Sequence, residues 1–479
     1  MIARAQAACI ALHRFGLGAR PGDLDAVADD PRARVAAELA GGAAVPEGMP
    51  SLAELVTHKM RWEQYLASTT ARRPAMAMAD MPASGMGLNG RANAAPPSPP
   101  ELPPGVFRLP EGRFYDKEVE ARLAILPQPA IGLTERLVWF WSNHFAVGVA
   151  KSGWQRITAG AFEREVVRPR VLGRFADMLK ASTRHFAMLT YLDNSNSIGP
   201  NSPAGRSPSG AGRAGLNENL AREILELHTL GVDGGYGQRD VENLARMLTG
   251  WTTGDARKGA VAGSFVFNAA AHEPGAKVLL GRTYPEAGAQ EALDALDELA
   301  RKPATARFIA FKLCRHFVAD QPPEALVQAL AETYRRTDGD LGAVTRALVE
   351  SDLAWGERVK LRTPQEFLAA ALRATGVPLS AEGFTLILRS LAQRVWDVPG
   401  PNGFPDTEAA WLSPANFRAR FEAASVVAEH ERTDRDVGEL AAAILGPALT
   451  RETSEGLRAA PNRREAIAVL LLSPEFQRR

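Results

Sequence analysis

From Thr305 to the end of the chain, apolar residues recur at three- and four-residue spacing almost without a break. That period marks one face of an α-helix, whereas a half-buried strand needs strict alternation. The spacing predicts helices over 305–318, 323–336, 341–351, 364–375, 381–395 and 414–429, followed by three short ones. The same period runs through 23–39, 52–68, 116–126, 135–145, 159–168, 172–180, 216–231 and 240–250, with Thr134 and Asp240 suited to cap two of these. Only 264–281 reads as sheet. There Phe265-Val266-Phe267 and Lys277-Val278-Leu279-Leu280 flank a turn containing Pro274-Gly275, which predicts one small β-hairpin. The expected fold class is therefore mainly α: a compact multi-helix body with a single hairpin.

Two stretches break the pattern. Residues 71–112 are crowded with proline, glycine and methionine and have no apolar period, and 199–215 is rich in glycine, serine and proline. Such segments bury too little apolar surface to offset their ordering entropy, so both are predicted to be disordered Gly/Pro-rich loops. The organisation this implies is N-terminal helices over 1–70, a flexible insertion over 71–112, and a helical body over 113–479 that forms one core with 1–70.

Charge narrows the partners. Lysine plus arginine number 56 and aspartate plus glutamate 55, a net charge of +1, which gives no global attraction to nucleic acid or an anionic membrane. The only cysteines, Cys9 and Cys314, support neither a disulfide framework nor a cysteine zinc site. Residues 2–12 are mildly apolar but interrupted by Arg4 and Gln6, so no clear export signal is expected. No stretch reaches the roughly 18 apolar residues of a membrane span.

Ready-made catalytic motifs are lacking. There is no Gly-x-Ser-x-Gly elbow, and Gly234-Gly235-Tyr236-Gly237 lacks the lysine and strand-to-helix setting of a phosphate loop. Met76, Met78 and Met81 have a copper(I)-like spacing, but it falls in low-complexity sequence. The densest polar run is Asn217-Glu218-Asn219-Leu220-Ala221-Arg222-Glu223-Ile224-Leu225-Glu226-Leu227-His228. At about 100° per residue, Glu218, Arg222 and Glu226 share one arc, a spacing that suits a surface ion-pair ladder. His228 lies roughly 140–160° away from Glu223 and Glu226 on the same wheel. A metal would therefore need ligands from several elements. His144, His228 and His272, joined by Asp193, Asn217, Glu218 and Glu223, are the candidates to line one cleft. Two histidines and a carboxylate within about 5 Å would hold a zinc-like ion, with a free carboxylate as base. The competing expectation is a structural polar network in which the histidines pack singly.

The run from Leu216 to Gly231 closely resembles the hallmark of a bacterial family known as domain of unknown function 1800. His13-Arg14-Phe15-Gly16, Phe140-Trp141-Ser142-Asn143-His144-Phe145, the segment from Phe267 to Gly281, Pro303 to Ala310, and Gly403-Phe404-Pro405-Asp406 through Ser413 extend the resemblance over nearly the whole chain. It implies no assigned activity or cofactor. It does imply frequent export and genetic proximity to proteins resembling sulfatases or alkaline phosphatases. Location is thus envelope or periplasm by resemblance and cytoplasm by the missing signal. Two functions follow as expectations. One is a non-catalytic, envelope-associated binding or assembly protein using the segments around Trp396, Phe404 and Trp411 as an apolar surface. The alternative is a metal-assisted hydrolase with a His/carboxylate site.

Overall fold

Proline opens several of the helices. Pro110–Ile125, Pro303–Phe317, Pro364–Thr375 and Pro414–Glu429 each begin with it, at the position where a missing N–H costs nothing. The structure, a computed structural model, describes residues 3–71, 102–104, 106, 110–207 and 215–479. Those residues form 22 α-helices and two antiparallel two-stranded sheets, the mainly helical class expected. No described helix is long and apolar enough to cross a membrane.

One apolar cluster draws on residues from Ala8 to Phe476. Two helices run through it. Leu133–His144 buries Leu137 and Trp141 on one face and Arg136 on another, and Pro364–Thr375 is buried on nearly all sides. Helices buried on nearly all sides must pair the charges they carry, and these two carry much of the polar site described below.

Several boundaries differ from the sequence reading. Helix Pro110–Ile125 starts inside the stretch read as insertion, six residues before the expected 116. Residues 72–101, including Met76, Met78 and Met81, lie outside the described residues, as do 208–214. Within the second loop, residues 199–207 are fastened down. Gly199 N–H donates to Ala271 O at 2.9 Å, and Asn201 N–H donates to the Glu273 carboxylate at 2.8 Å. Thr134 does not cap its helix. The Glu38 carboxylate does so from far upstream, accepting the N–H groups of Ile131 at 2.9 Å and Leu133 at 2.7 Å. A short-range sequence pattern cannot reveal such a cap.

The hairpin also needs correction. Phe265–Phe267 and Lys277–Leu279 are strands, but they do not pair with each other. Trp251–Thr253 pairs with Phe265–Phe267, and Lys277–Leu279 pairs with Arg282–Tyr284. The tight turn is Leu280-Gly281, with φ of 49° and 79°. Two successive left-handed residues make the two-residue loop that matches strand twist. Asp240, expected to cap, sits inside helix Gln238–Leu248, where one carboxylate oxygen accepts Gly237 N–H at 2.9 Å and the other accepts Leu280 N–H at 2.7 Å.

Candidate functional site

Asn402-Gly403-Phe404-Pro405-Asp406 lies against the end of helix Leu133–His144 and closes a cavity of about 200 Å³. Aromatic walls come from Trp139, Phe140, Trp396 and Phe404, and the polar lining includes Asn143, Gln393, Lys312, Arg315, His316 and Asp406. Helix Pro303–Phe317 places Lys312, Arg315 and His316 on one face by their three- and four-residue spacing.

Two buried charge clusters support this cavity. In the first, Glu366 pairs with Arg136 at 2.8 Å and with Arg479 at 2.7 Å. The same carboxylate accepts Thr363 N–H at 2.9 Å, so a helix cap doubles as a counter-ion. Arg136 also donates to Gly16 O at 2.9 Å, which ties in the His13-Arg14-Phe15-Gly16 run. Burial pushes the Glu366 carboxyl up, but Arg136 and Arg479 beside it hold it down at about 2. His316 donates from Nδ1 to Asp406 at 2.9 Å and accepts from Arg136 at Nε2 at 3.2 Å. Burial moves its pKa below the ordinary histidine value, with Asp406 pulling the other way. Both ring nitrogens are engaged, so His316 has no nitrogen free to serve as a general base. In the second cluster, Arg168 bridges Glu135 and Glu163 at 2.7 Å each, and Arg122 lies 3.4 Å from Glu163. Trp139 and Trp396 donate their indole N–H groups to Glu135 at 3.0 Å and Glu163 at 3.1 Å. Trp396 holds a left-handed φ of 53°, a strained backbone in the wall of the cavity.

Lys312 has no such compensation. Its Nζ donates to His144 Nδ1 at 3.0 Å, and no carboxylate among the described residues pairs with it. Burial pushes it down to about 8, opposed by the more distant charge of Asp406 and reinforced by Arg315. Arg315 stacks on Phe311 at 4.4 Å and, among the described residues, donates only to a backbone carbonyl, Asp320 O. Two cations therefore face one cavity without paired acids among the described residues.

The residues singled out from sequence disperse. His144 and His228 do meet, with ring centroids 6.1 Å apart. The helix expected over 216–231 is α-helical only over Asn219–Glu223 and then widens into a π-helix over Ile224–Thr229, a turn common at functional positions. That widening breaks the 100° wheel and accompanies the burial of His228. His144 Nε2–H donates to His228 O at 3.1 Å, so with Lys312 on Nδ1 neither ring nitrogen is left for a metal. Burial pushes His228 down to about 3. His272 stands with Glu291 at 2.8 Å and Lys277 at 3.3 Å, while its Nδ1 donates to Thr249 O at 2.9 Å. Asp193 pairs with Lys151 at 2.7 Å, and Asn217 donates to Asp193 O at 3.4 Å. Of the expected surface ladder only Glu218 and Arg222 pair, at 3.0 Å, whereas Glu226 accepts from the Tyr236 hydroxyl at 3.3 Å. Glu223 is half-buried, and burial followed by the nearby Glu226 raises its pKa. No group of three His, Cys, Asp or Glu among the described residues could hold a metal ion.

Sequence reasoning did not single out Lys312, Arg315, His316 or Glu366. The one available signal was their position in apolar helices, where an isolated charge must find a partner. Trp396 and Trp411, expected in an apolar surface, are buried at 8% and 4% exposure.

The fold and site define a helical protein with one aromatic, cation-bearing cavity set between two buried ion-pair clusters. The chain belongs to the family described as "Protein of unknown function (DUF1800)", whose model matches residues 10–478. No curated protein and no solved structure matches it.

Proposed function

We propose that the chain is a binding protein for a small organic anion, held in the cavity behind the 402–406 loop. One observation carries this reading: Lys312 is half-buried, faces the cavity and has no carboxylate partner among the described residues. A charge partly withdrawn from water without a counter-ion is costly, and a ligand carboxylate would supply that counter-ion. Arg315, on the same helix face, adds a second unpaired cation. At about 30 Å³ per water, a cavity of about 200 Å³ suits a ligand of roughly six or seven heavy atoms. The aromatic walls and the amides of Asn143 and Gln393 fit the mixed apolar and polar lining of ligand sites.

The assembly reading has less behind it, because the tryptophans that would have formed its surface are interior. The metal-assisted hydrolase lacks a donor set, since His144 is engaged at both nitrogens and His272 belongs to a separate cluster.

Calorimetric titration with oxalate, and with uncharged oxamide of the same shape, tests the proposal. Oxalate is expected to bind, oxamide to bind at least about tenfold more weakly, and Lys312→Met to lose oxalate affinity by roughly 10- to 100-fold. Equal binding of the two, or no effect of Lys312→Met, would overturn it.

A further inference from the structure

The pairing of Lys312 with His144 gives the cavity a chemistry beyond holding a charge. His144 spends its one ring proton on His228 O, at 3.1 Å from Nε2. Its Nδ1 is therefore a fixed acceptor, 3.0 Å from the lysine nitrogen. The Lys312 amine borders open space among aromatic walls and lies 5.4 Å from the centre of the Phe308 ring. A desolvated lysine beside a second cation and a neutral base is the setting in which an amine becomes a nucleophile toward carbonyl carbon.

We propose that Lys312 captures the carbonyl group of a small 2-oxo acid as a reversible imine, with Arg315 receiving the carboxylate. This rests on the anion-binding reading and specifies its ligand class. In the first step the Nζ lone pair forms a bond to the carbonyl carbon and the carbon–oxygen π electrons move to oxygen, leaving two protons on a cationic nitrogen and a negative charge on the oxygen. His144 Nδ1 relays one of those protons from the nitrogen to the oxygen, which gives the neutral carbinolamine. The nitrogen lone pair then expels the hydroxyl, which leaves as water with the remaining nitrogen proton, and a carbon–nitrogen double bond is formed. One water is released for each ligand captured, and no oxidant or reductant takes part. With its pKa at about 8, Lys312 has about a tenth of its amine unprotonated at pH 7, far more than an ordinary lysine. The cavity's size admits the smallest members of the class.

The full-length protein is incubated with glyoxylate and sodium cyanoborohydride, which reduces an imine to a stable carboxymethyl-lysine, and the modified peptides are mapped by mass. Lys312 is expected to be modified more than about tenfold faster than exposed Lys258, and oxalate is expected to suppress this. Lys312→Arg keeps the cation but has no primary amine. It is expected to bind oxalate, which shows the site is folded, and to leave the remaining lysines modified only at the Lys258 rate. Oxalate binding without preferential modification of Lys312 overturns the covalent step and leaves the anion site standing. Failure to bind oxalate in the first place overturns both.

Discussion

Asn143 holds Phe404 by both of its backbone groups: its amide nitrogen donates to Phe404 O at 3.0 Å, and its amide oxygen accepts Phe404 N–H at 2.7 Å. This side chain from the last turn of the Leu133–His144 helix thus imitates a strand partner and fastens the loop that closes the cavity. Neighbouring Gly403 has a φ of 75°, and a Cβ there would fall onto the Asn143 carbonyl oxygen. Asn143→Ala should cost about 1–3 kcal/mol, since two loop backbone groups lose their partner. Gly403→Ala should also destabilise, through strain rather than lost bonds. Thermal unfolding measures both, and limited proteolysis should cut 398–406 first in either variant. A loop as resistant as in the parent protein would refute the fastening.

Glu366 and Glu223 separate the two ways of picking a residue. Glu366→Gln leaves Arg136 and Arg479 buried without the carboxylate that pairs with both, and should cost about 3–5 kcal/mol. Glu223→Gln removes a half-buried carboxylate that has no ion pair among the described residues, and whose charge burial and Glu226 already disfavour. It should change stability by no more than about 0.5 kcal/mol. Urea unfolding of the two variants gives the comparison, and similar losses would refute the assignment of Glu366 as the keystone.

Acid should weaken the fold early. Burial lowers the pKa of His13, His144, His228 and His316. Below about pH 6.5 the unfolded chain takes up protons at these positions and the folded chain does not, so stability falls as pH falls. The slope reaches about 1.4 kcal/mol per pH unit for each histidine that stays neutral when folded. Glu366 and Asp406, held below the usual carboxylate range, add their loss only below about pH 4.5. Urea unfolding at pH 7.5, 6 and 5 should show the decline, and His228→Phe should flatten it. A stability constant from pH 7.5 to 5 would contradict the buried neutral histidines.

Lys312 should matter to ligand and little to folding. Lys312→Met removes a half-buried charge, a gain that offsets the donor His144 loses, so the net change should stay under about 1 kcal/mol. Differential scanning calorimetry without ligand, set beside oxalate titration of the same variant, tests the separation. A large loss of unliganded stability would mark the lysine as structural.

The helices were legible because each announces itself over a few turns through period and local signals such as the Thr363–Pro364–Glu366 start. The strands at Phe265 and Lys277 were legible for the same reason. Their partners were not, because strand pairing is chosen by the turn at Leu280-Gly281 and by Asp240 from another helix. His144 was visible in its aromatic helix, yet its company was not. The wheel that set His228 apart assumed 100° per residue, and the wide π-turn over Ile224–Thr229 abolished that premise.

Period, proline placement and charge balance therefore settled by themselves that this chain is mainly helical, where most helices run, and that no global charge draws it to nucleic acid. These are local or summed quantities, and neighbouring residues determine them. Which charges compensate one another was decided only in three dimensions. Arg136, His316, Glu366, Asp406 and Arg479 come from segments spread across the chain, and each is tolerable in the interior only because the others are there. Lys312 looks the same as they do in one dimension. Tertiary packing alone left it without an acid and facing open space, since burial removes water from every charge it encloses but supplies a counter-ion only where the folded chain happens to place one.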